Sequence, residues 1–168
     1  DEGQLIAAAL TYAHDPFPFR SVDLTTSGPL NGLALLPTHW LGLPQDYFNA
    51  RLVAVLLEWG ALLSLYGTLR TLFSPAVTAF ALLPGILFFA TATDTDFIHY
   101  SSEHPSLFLG ALGVCLIWRH RPSATAADAR RWLGWLAGGI CIGLLPWAKL
   151  QSAPIAAAAA IWGAGLAW

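Results

Sequence analysis

The sequence predicts an all-α fold, a polytopic transmembrane helical bundle with two amphipathic helices lying on the membrane surface. Three observations predict it. Charged residues are 11% of the 168-residue chain, where soluble domains carry about 25%. Mean hydropathy is +0.58, and a chain so poor in charge lacks the polar surface that a soluble domain shows to water. Apolar runs also recur along the chain, several approaching the roughly 20 residues that a helix needs to cross about 30 Å of hydrocarbon.

The elements follow in order as one membrane domain, a fragment covering residues 1–168. Residues 1–46 read as an outer loop with two interfacial helices, and residues 49–168 as about five transmembrane helices. In residues 3–13, Leu5, Ile6, Ala9, Leu10 and Ala13 recur at helical spacing. A Pro-broken loop, His14-Asp15-Pro16-Phe17-Pro18-Phe19, follows. In residues 29–43, Leu30, Leu33, Leu36 and Trp40 share one side. Both stretches are short and mildly amphipathic, and read as helices lying on the membrane surface rather than crossing it.

The first span covers residues 49–73 and is closed by Ser74-Pro75. The second covers residues 76–93, with Pro84 inside as an expected kink. Residues 105–118 form a third, short for a span unless residues 97–104 join it. Residues 132–147 and 154–168 are the last pair, joined by a tight turn at residues 148–153. Met is absent and Asp1-Glu2 stands where a signal peptide would be basic. The chain is therefore expected to be excised from a longer protein, with a span ending just before Asp1 and a helix cut at Trp168. Cys115 and Cys141 lie in apolar runs and read as small hydrophobes.

Threading the spans alternately collects Arg70, Arg119, Arg121, Arg130 and Arg131 on one side. Asp1, Glu2, Asp15, Asp23, Asp46, Asp94, Asp96 and Glu103 collect on the other. The positive-inside rule makes the Arg side cytoplasmic, so the acid-rich face looks to a periplasm, lumen or cell exterior. No Lys/Arg cluster is interleaved with aromatics in a polar segment, which excludes a nucleic-acid partner. His-Glu-x-x-His, Gly-x-Ser-x-Gly and Gly-rich phosphate-loop patterns are absent, and so is any Cys/His spacing for structural zinc.

Chemistry has a few places to sit. Asp1-Glu2 can supply a general base or a metal ligand, or be only a solvated or capping pair. Asp94, Asp96, His99, Glu103 and His104 can hold a divalent cation or a substrate hydroxyl, or be ordinary loop polarity; Glu103 stands directly before the start of a span. Lys149, at the outer end of a hairpin, can meet a lipid phosphate or simply snorkel, and Arg51 is a similar case. Glu58 lies two turns into the first span on roughly the Arg51 face, where an ionisable group costs a few kcal/mol and faces the bundle interior. It reads as structural, protonated or paired with a neighbouring helix, ahead of catalytic.

The order of these motifs resembles type C glycosyltransferases, nearest the branch of protein O-mannosyltransferases and aminoarabinose transferase. Asp1-Glu2-Gly3 is similar to the Asp-Glu motif that opens their first outer loop. Ser27-Gly28-Pro29-Leu30 resembles the start of their second surface helix, and Ala50-Arg51-Leu52 the opening of their second span. Tyr100-Ser101-Ser102-Glu103-His104-Pro105 is similar to their second acidic motif, and Gly143-Leu144-Leu145-Pro146-Trp147-Ala148-Lys149 to their Gly-Leu-x-x-x-x-Lys. Two departures stand out from the aminoarabinose enzyme: Gln4 replaces its Arg, and Ser27-Gly28 its Glu-Lys.

The resemblance implies an enzyme moving a sugar from a polyprenyl-phosphate donor to an acceptor hydroxyl of a lipid, glycan or protein, with inversion, at the outer or luminal face of a bacterial plasma membrane. It implies Asp1 as general base, Glu103 holding the acceptor or a metal, Lys149 meeting the donor phosphate, and Glu2 and Arg51 in support. A divalent metal is left open as cofactor. A phosphate leaving group needs a cation more than a proton, unlike the carboxylate pair of glycosidases. The rival expectation is a transporter or channel subunit with Glu58 and the outer acids as an ion path, although the paired broken helices of such proteins are not repeated here.

Overall fold

The computed structural model describes residues 2–22, 27–93, 98–121 and 129–166. Asp1, Asp23, Asp94, Asp96 and Trp168, which the sequence singles out, lie outside the described residues. The described elements are helices α1 (Glu2–His14), α2 (Leu30–Leu33), α3 (Leu36–Trp40), α4 (Tyr47–Leu69) and α5 (Pro75–Thr91). Then come α6 (Glu103–Arg119), α7 (Ala129–Gly143), α8 (Leu145–Ala148), a 3-10 turn (Leu150–Ser152) and α9 (Ala153–Gly165). No strand is present among the described residues beyond an isolated bridge of Ser27 with Lys149.

Local chemistry sets the helix ends. The Asp46 carboxylate accepts from the Asn49 backbone N–H at 2.9 Å, capping α4. Ser74 caps α5 in the same way, and Pro75 fits its first turn because the N–H it lacks has no intrahelical partner there. The predicted helix over residues 29–43 is instead two separate turns, α2 and α3. Pro37 is the reason: it has no N–H to bond the carbonyl four residues back, and its ring crowds that carbonyl. Leu35 and Leu36 turn inward while Trp40, expected on the apolar side, is 73% exposed.

α1 packs on protein along the apolar face that its spacing marks. Leu5, Ile6, Ala8, Ala9 and Tyr12 bury their face against Leu35, Leu36, Ala50, Ala54 and Tyr100. This cap, built from α1 to α3, packs on the first half of α4. The second half of α4 packs on α6, with Gly60 against the Phe108 ring and Gly67 against the Cys115 sulfur. Residue numbers rise together in those contacts, so α4 and α6 run parallel. Between α6 and α7 they run oppositely: Gly113 meets Ile142 and Gly138 meets Ile117. α9 returns beside α6, where Trp162 stacks on Trp118 with centroids 6.0 Å apart.

These directions bring Arg70, Arg119, Arg121, Arg130 and Arg131 to one end of the helices, and the cap to the other. Among the described residues α4 alone, at 23 residues, is long and apolar enough to cross a membrane by length and composition. α5 is a shorter apolar helix. α6, α7 and α9 have 17, 15 and 13 residues, about 26, 22 and 20 Å at 1.5 Å per residue. The expected hairpin turn at residues 148–153 is more elaborate. α7 stops at Gly143 because Pro146 cannot continue it, and α8 and the 3-10 turn fill the corner.

Candidate active site at the cap end of the bundle

The site is assembled from Glu2 outward. The first turn of α1 turns the Glu2 side chain inward, leaving it 4% exposed. Arg51 Nη2 donates to its Oε2 at 3.1 Å, and the Tyr100 backbone N–H donates to its Oε1 at 3.0 Å. A buried carboxylate keeps its charge only with such partners. Glu2 and Arg51, expected to support a substrate, therefore hold each other and tie α1 to α4 and to the Tyr100 turn.

Tyr100 carries the tie further. Its ring is fully buried, burial pushes its hydroxyl well above the ordinary range, and the hydroxyl donates to the Asn31 carbonyl at 2.7 Å. Asn31 Nδ2 donates to the Ala148 carbonyl at 2.6 Å and to the Gly28 carbonyl at 3.1 Å. The Gly28 N–H donates to the same Ala148 carbonyl at 3.0 Å. A Cβ on Gly28 would stand 1.8 Å from the Trp147 carbonyl oxygen, so only glycine lets this strand of chain lie against α8.

This docking delivers Lys149 to Glu103. The two side chains form an ion pair, Lys149 Nζ donating to Glu103 Oε1, with exposures of 25% and 60%. Glu103 stands at the first position of α6, ahead of the apolar run that Pro105 opens. Desolvation pushes its carboxyl up, but hydrogen bonds from Lys149 and Ser101 outweigh that and hold it down at about 2. Lys149 is thus not the lone cation that its sequence position suggests.

One residue further, His104 meets Glu58. His104 Nε2 is 3.1 Å from Glu58 Oε1, and both side chains are largely buried. On the other side of the ring, His104 Nδ1 lies 3.1 Å from the Ser101 backbone nitrogen, 3.0 Å from the Ser101 hydroxyl and 3.3 Å from the Ser101 carbonyl oxygen. The ring stacks on Tyr100 with centroids 5.9 Å apart. Glu58 is paired with the neighbouring helix, one of the structural roles expected for it.

Two clefts meet at Glu103. An apolar cleft of about 510 Å³ runs from Glu103 and Lys149 between α4, α6 and α9, past Leu65, Gly110, Val114 and Ile155. A second, of about 470 Å³, opens beside Glu58, His104 and Ser101 toward Phe88 and Phe89 of α5. No three His, Cys, Asp or Glu side chains gather as a metal site among the described residues, and His104, a possible ligand by sequence, is engaged by Glu58. Sequence reasoning missed Asn31 and Tyr100 as the connecting residues. The available signal was an amide within the apolar run of residues 29–43, which has to find partners if buried.

Comparison with protein-family models, curated proteins and solved structures finds no match to this chain.

Proposed function

We propose that this chain is the membrane-embedded part of a glycosyltransferase that moves a sugar from a polyprenyl-phosphate donor to an acceptor hydroxyl at the acid-rich face of the membrane. One observation carries the reading. Segments far apart in sequence, around Glu2, Gly28, Arg51, Tyr100–Glu103 and Lys149, are joined by hydrogen bonds and ion pairs, and they end on a cation at the mouth of an apolar cleft. A polyprenyl phosphate has the matching chemistry, an apolar tail for the cleft and an anion for Lys149. A polytopic bundle with α4, α5, α6, α7 and α9 as its crossing elements belongs to this proposal.

In the reaction the acceptor oxygen attacks the anomeric carbon from the side opposite the phosphate. The bond from that carbon to the phosphate oxygen breaks, and its electron pair leaves with the polyprenyl phosphate. The acceptor proton passes to the Asp1 carboxylate, and the anomeric configuration inverts. Lys149 stabilises the phosphate as negative charge builds on it, and Glu103 holds Lys149 in place and faces the acceptor.

The test uses the full-length parent in membranes, with a panel of polyprenyl-phosphate sugars. Asp1→Asn should lower transfer about 10²–10⁴-fold, the usual worth of a positioned base. Lys149→Ala should cost about 2–4 kcal/mol of transition-state binding, with part restored by Lys149→Arg, which returns charge without shape. Near-normal turnover for both Asp1→Asn and Lys149→Ala in well-folded samples overturns the reading. Ion flux through the parent that depends on Glu58 favours the transporter or channel instead, since Glu58 and His104 form an ionisable pair within the bundle.

A further inference from the structure

We propose that the cleft beside Glu58, His104, Phe88 and Phe89 is a sugar-binding site that seats the ring carried by the donor. The proposal rests on the transferase reading for what the ring is attached to, and on the geometry of the cleft for the ring itself. The volume of about 470 Å³ lies within the range of small-molecule sites, roughly 300–1,000 Å³. Its walls differ in character, as a sugar requires. A pyranose presents C–H groups on its faces and hydroxyls around its rim, so it needs an apolar aromatic wall and a set of donors and acceptors at the edge.

The aromatic wall is Phe88 and Phe89, whose rings meet edge to face at 73° with centroids 5.5 Å apart. Both side chains line the cleft. The polar wall is Glu58, His104, Ser101 and Glu103. His104 Nε2 pairs with Glu58 Oε1, which leaves Glu58 Oε2 without a hydrogen bond among the described residues. A carboxylate oxygen so placed, on a side chain held by a buried imidazole, accepts from a sugar hydroxyl. The aligned hydroxyl is lost if the carboxylate becomes an amide that also donates.

Continuity with the apolar cleft connects the site to the donor. Glu103 and Leu107 line both cavities. A molecule with its tail in the apolar cleft and its phosphate at Lys149 therefore reaches across Glu103 to place the next group beside Glu58 and Phe89. In a polyprenyl-phosphate sugar that next group is the sugar ring.

The experiment separates this site from the transfer reaction. Binding of methyl glycosides (a hexoside, an N-acetylhexosaminide and a pentoside) to the detergent-solubilised full-length parent is measured by saturation-transfer NMR and thermal shift. At least one glycoside should bind. Glu58→Gln and Phe89→Ala should each weaken it tenfold or more, while His39→Ala, at an exposed position outside both clefts, leaves it unchanged. Phe89→Ala does not touch the Glu58–His104 pair, so it decides the matter if Glu58→Gln fails to fold. Binding of no glycoside, or wild-type binding by Phe89→Ala, overturns the site whatever the transfer assay shows. Glycoside binding that depends on Glu58 and Phe89 in a protein that transfers no sugar keeps this site and sinks the transferase reading.

Discussion

Lys149 and Glu103 illustrate how a single charge is set by what the chain brings to it. Glu103 is held at about 2 by Lys149 and Ser101 against desolvation, below the ordinary carboxylate value near 4.3. A depressed carboxyl contributes stability that is present above its unfolded value and is lost as pH falls through its folded one. The thermal stability gap between the wild type and Glu103→Gln should therefore persist from neutral pH to about 4.5 and close as pH falls toward 2. A gap of constant size across that window would show that Glu103 does not draw its stabilisation from ionisation. Arg51 poses a sharper case. Arg51→Ala leaves the Glu2 carboxylate buried with only the Tyr100 N–H as partner among the described residues, so unfolding free energy should drop by about 1–3 kcal/mol. Arg51→Lys should recover less than half, because a point charge replaces a fork that contacts both carboxylate oxygens.

Among the elements, α6 and α7 approach most closely through glycine. A Cβ on Gly138 would stand 2.8 Å from the Gly113 carbonyl oxygen and 2.9 Å from the Ile117 backbone nitrogen. Backbone meets backbone there, so a side chain at this position has no room. Gly138→Leu should separate the helices and cost about 1–3 kcal/mol, read as a lower unfolding midpoint in detergent. Gly139→Leu on the next position, where a Cβ meets nothing within 4 Å, should be close to neutral. Equal effects at the two positions would contradict the contact. The same pairing aligns α6 with α7 and so fixes where Glu103 stands relative to Lys149 beyond Gly143.

For the whole molecule, the polarity of the ends is the central property. Parallel α4 and α6, with α7 antiparallel to α6, put Arg70, Arg119, Arg121, Arg130 and Arg131 at one end and the cap at the other. With Cys115 and Cys141 replaced by Ala, a cysteine at exposed His39 should react with an impermeant reagent added outside intact cells. A cysteine at exposed Arg121 should react only after the membrane is opened. The reverse pattern would place the Glu103–Lys149 pair on the cytoplasmic side and remove the acceptor face that the proposed reaction needs.

Composition and apolar run length by themselves determined the all-helical character and the approximate places of α4, α5 and α6, because helix formation and burial respond to local pattern. Prolines and capping residues marked several helix ends for the same reason. The residue types at the site, Glu2, Arg51, Glu103 and Lys149, were also legible, since charge in so apolar a chain stands out. Their pairing was not. Glu2 with Arg51, Glu58 with His104 and Glu103 with Lys149 are separated by 49, 46 and 46 residues, and no local periodicity relates them. Only tertiary structure decided those pairs, through close approaches at Gly28 and between Gly113 and Gly138 that bring the backbones together. It also decided that the apolar face of α1 belongs to a protein core, because an amphipathic face has the same pattern whether protein or lipid covers it.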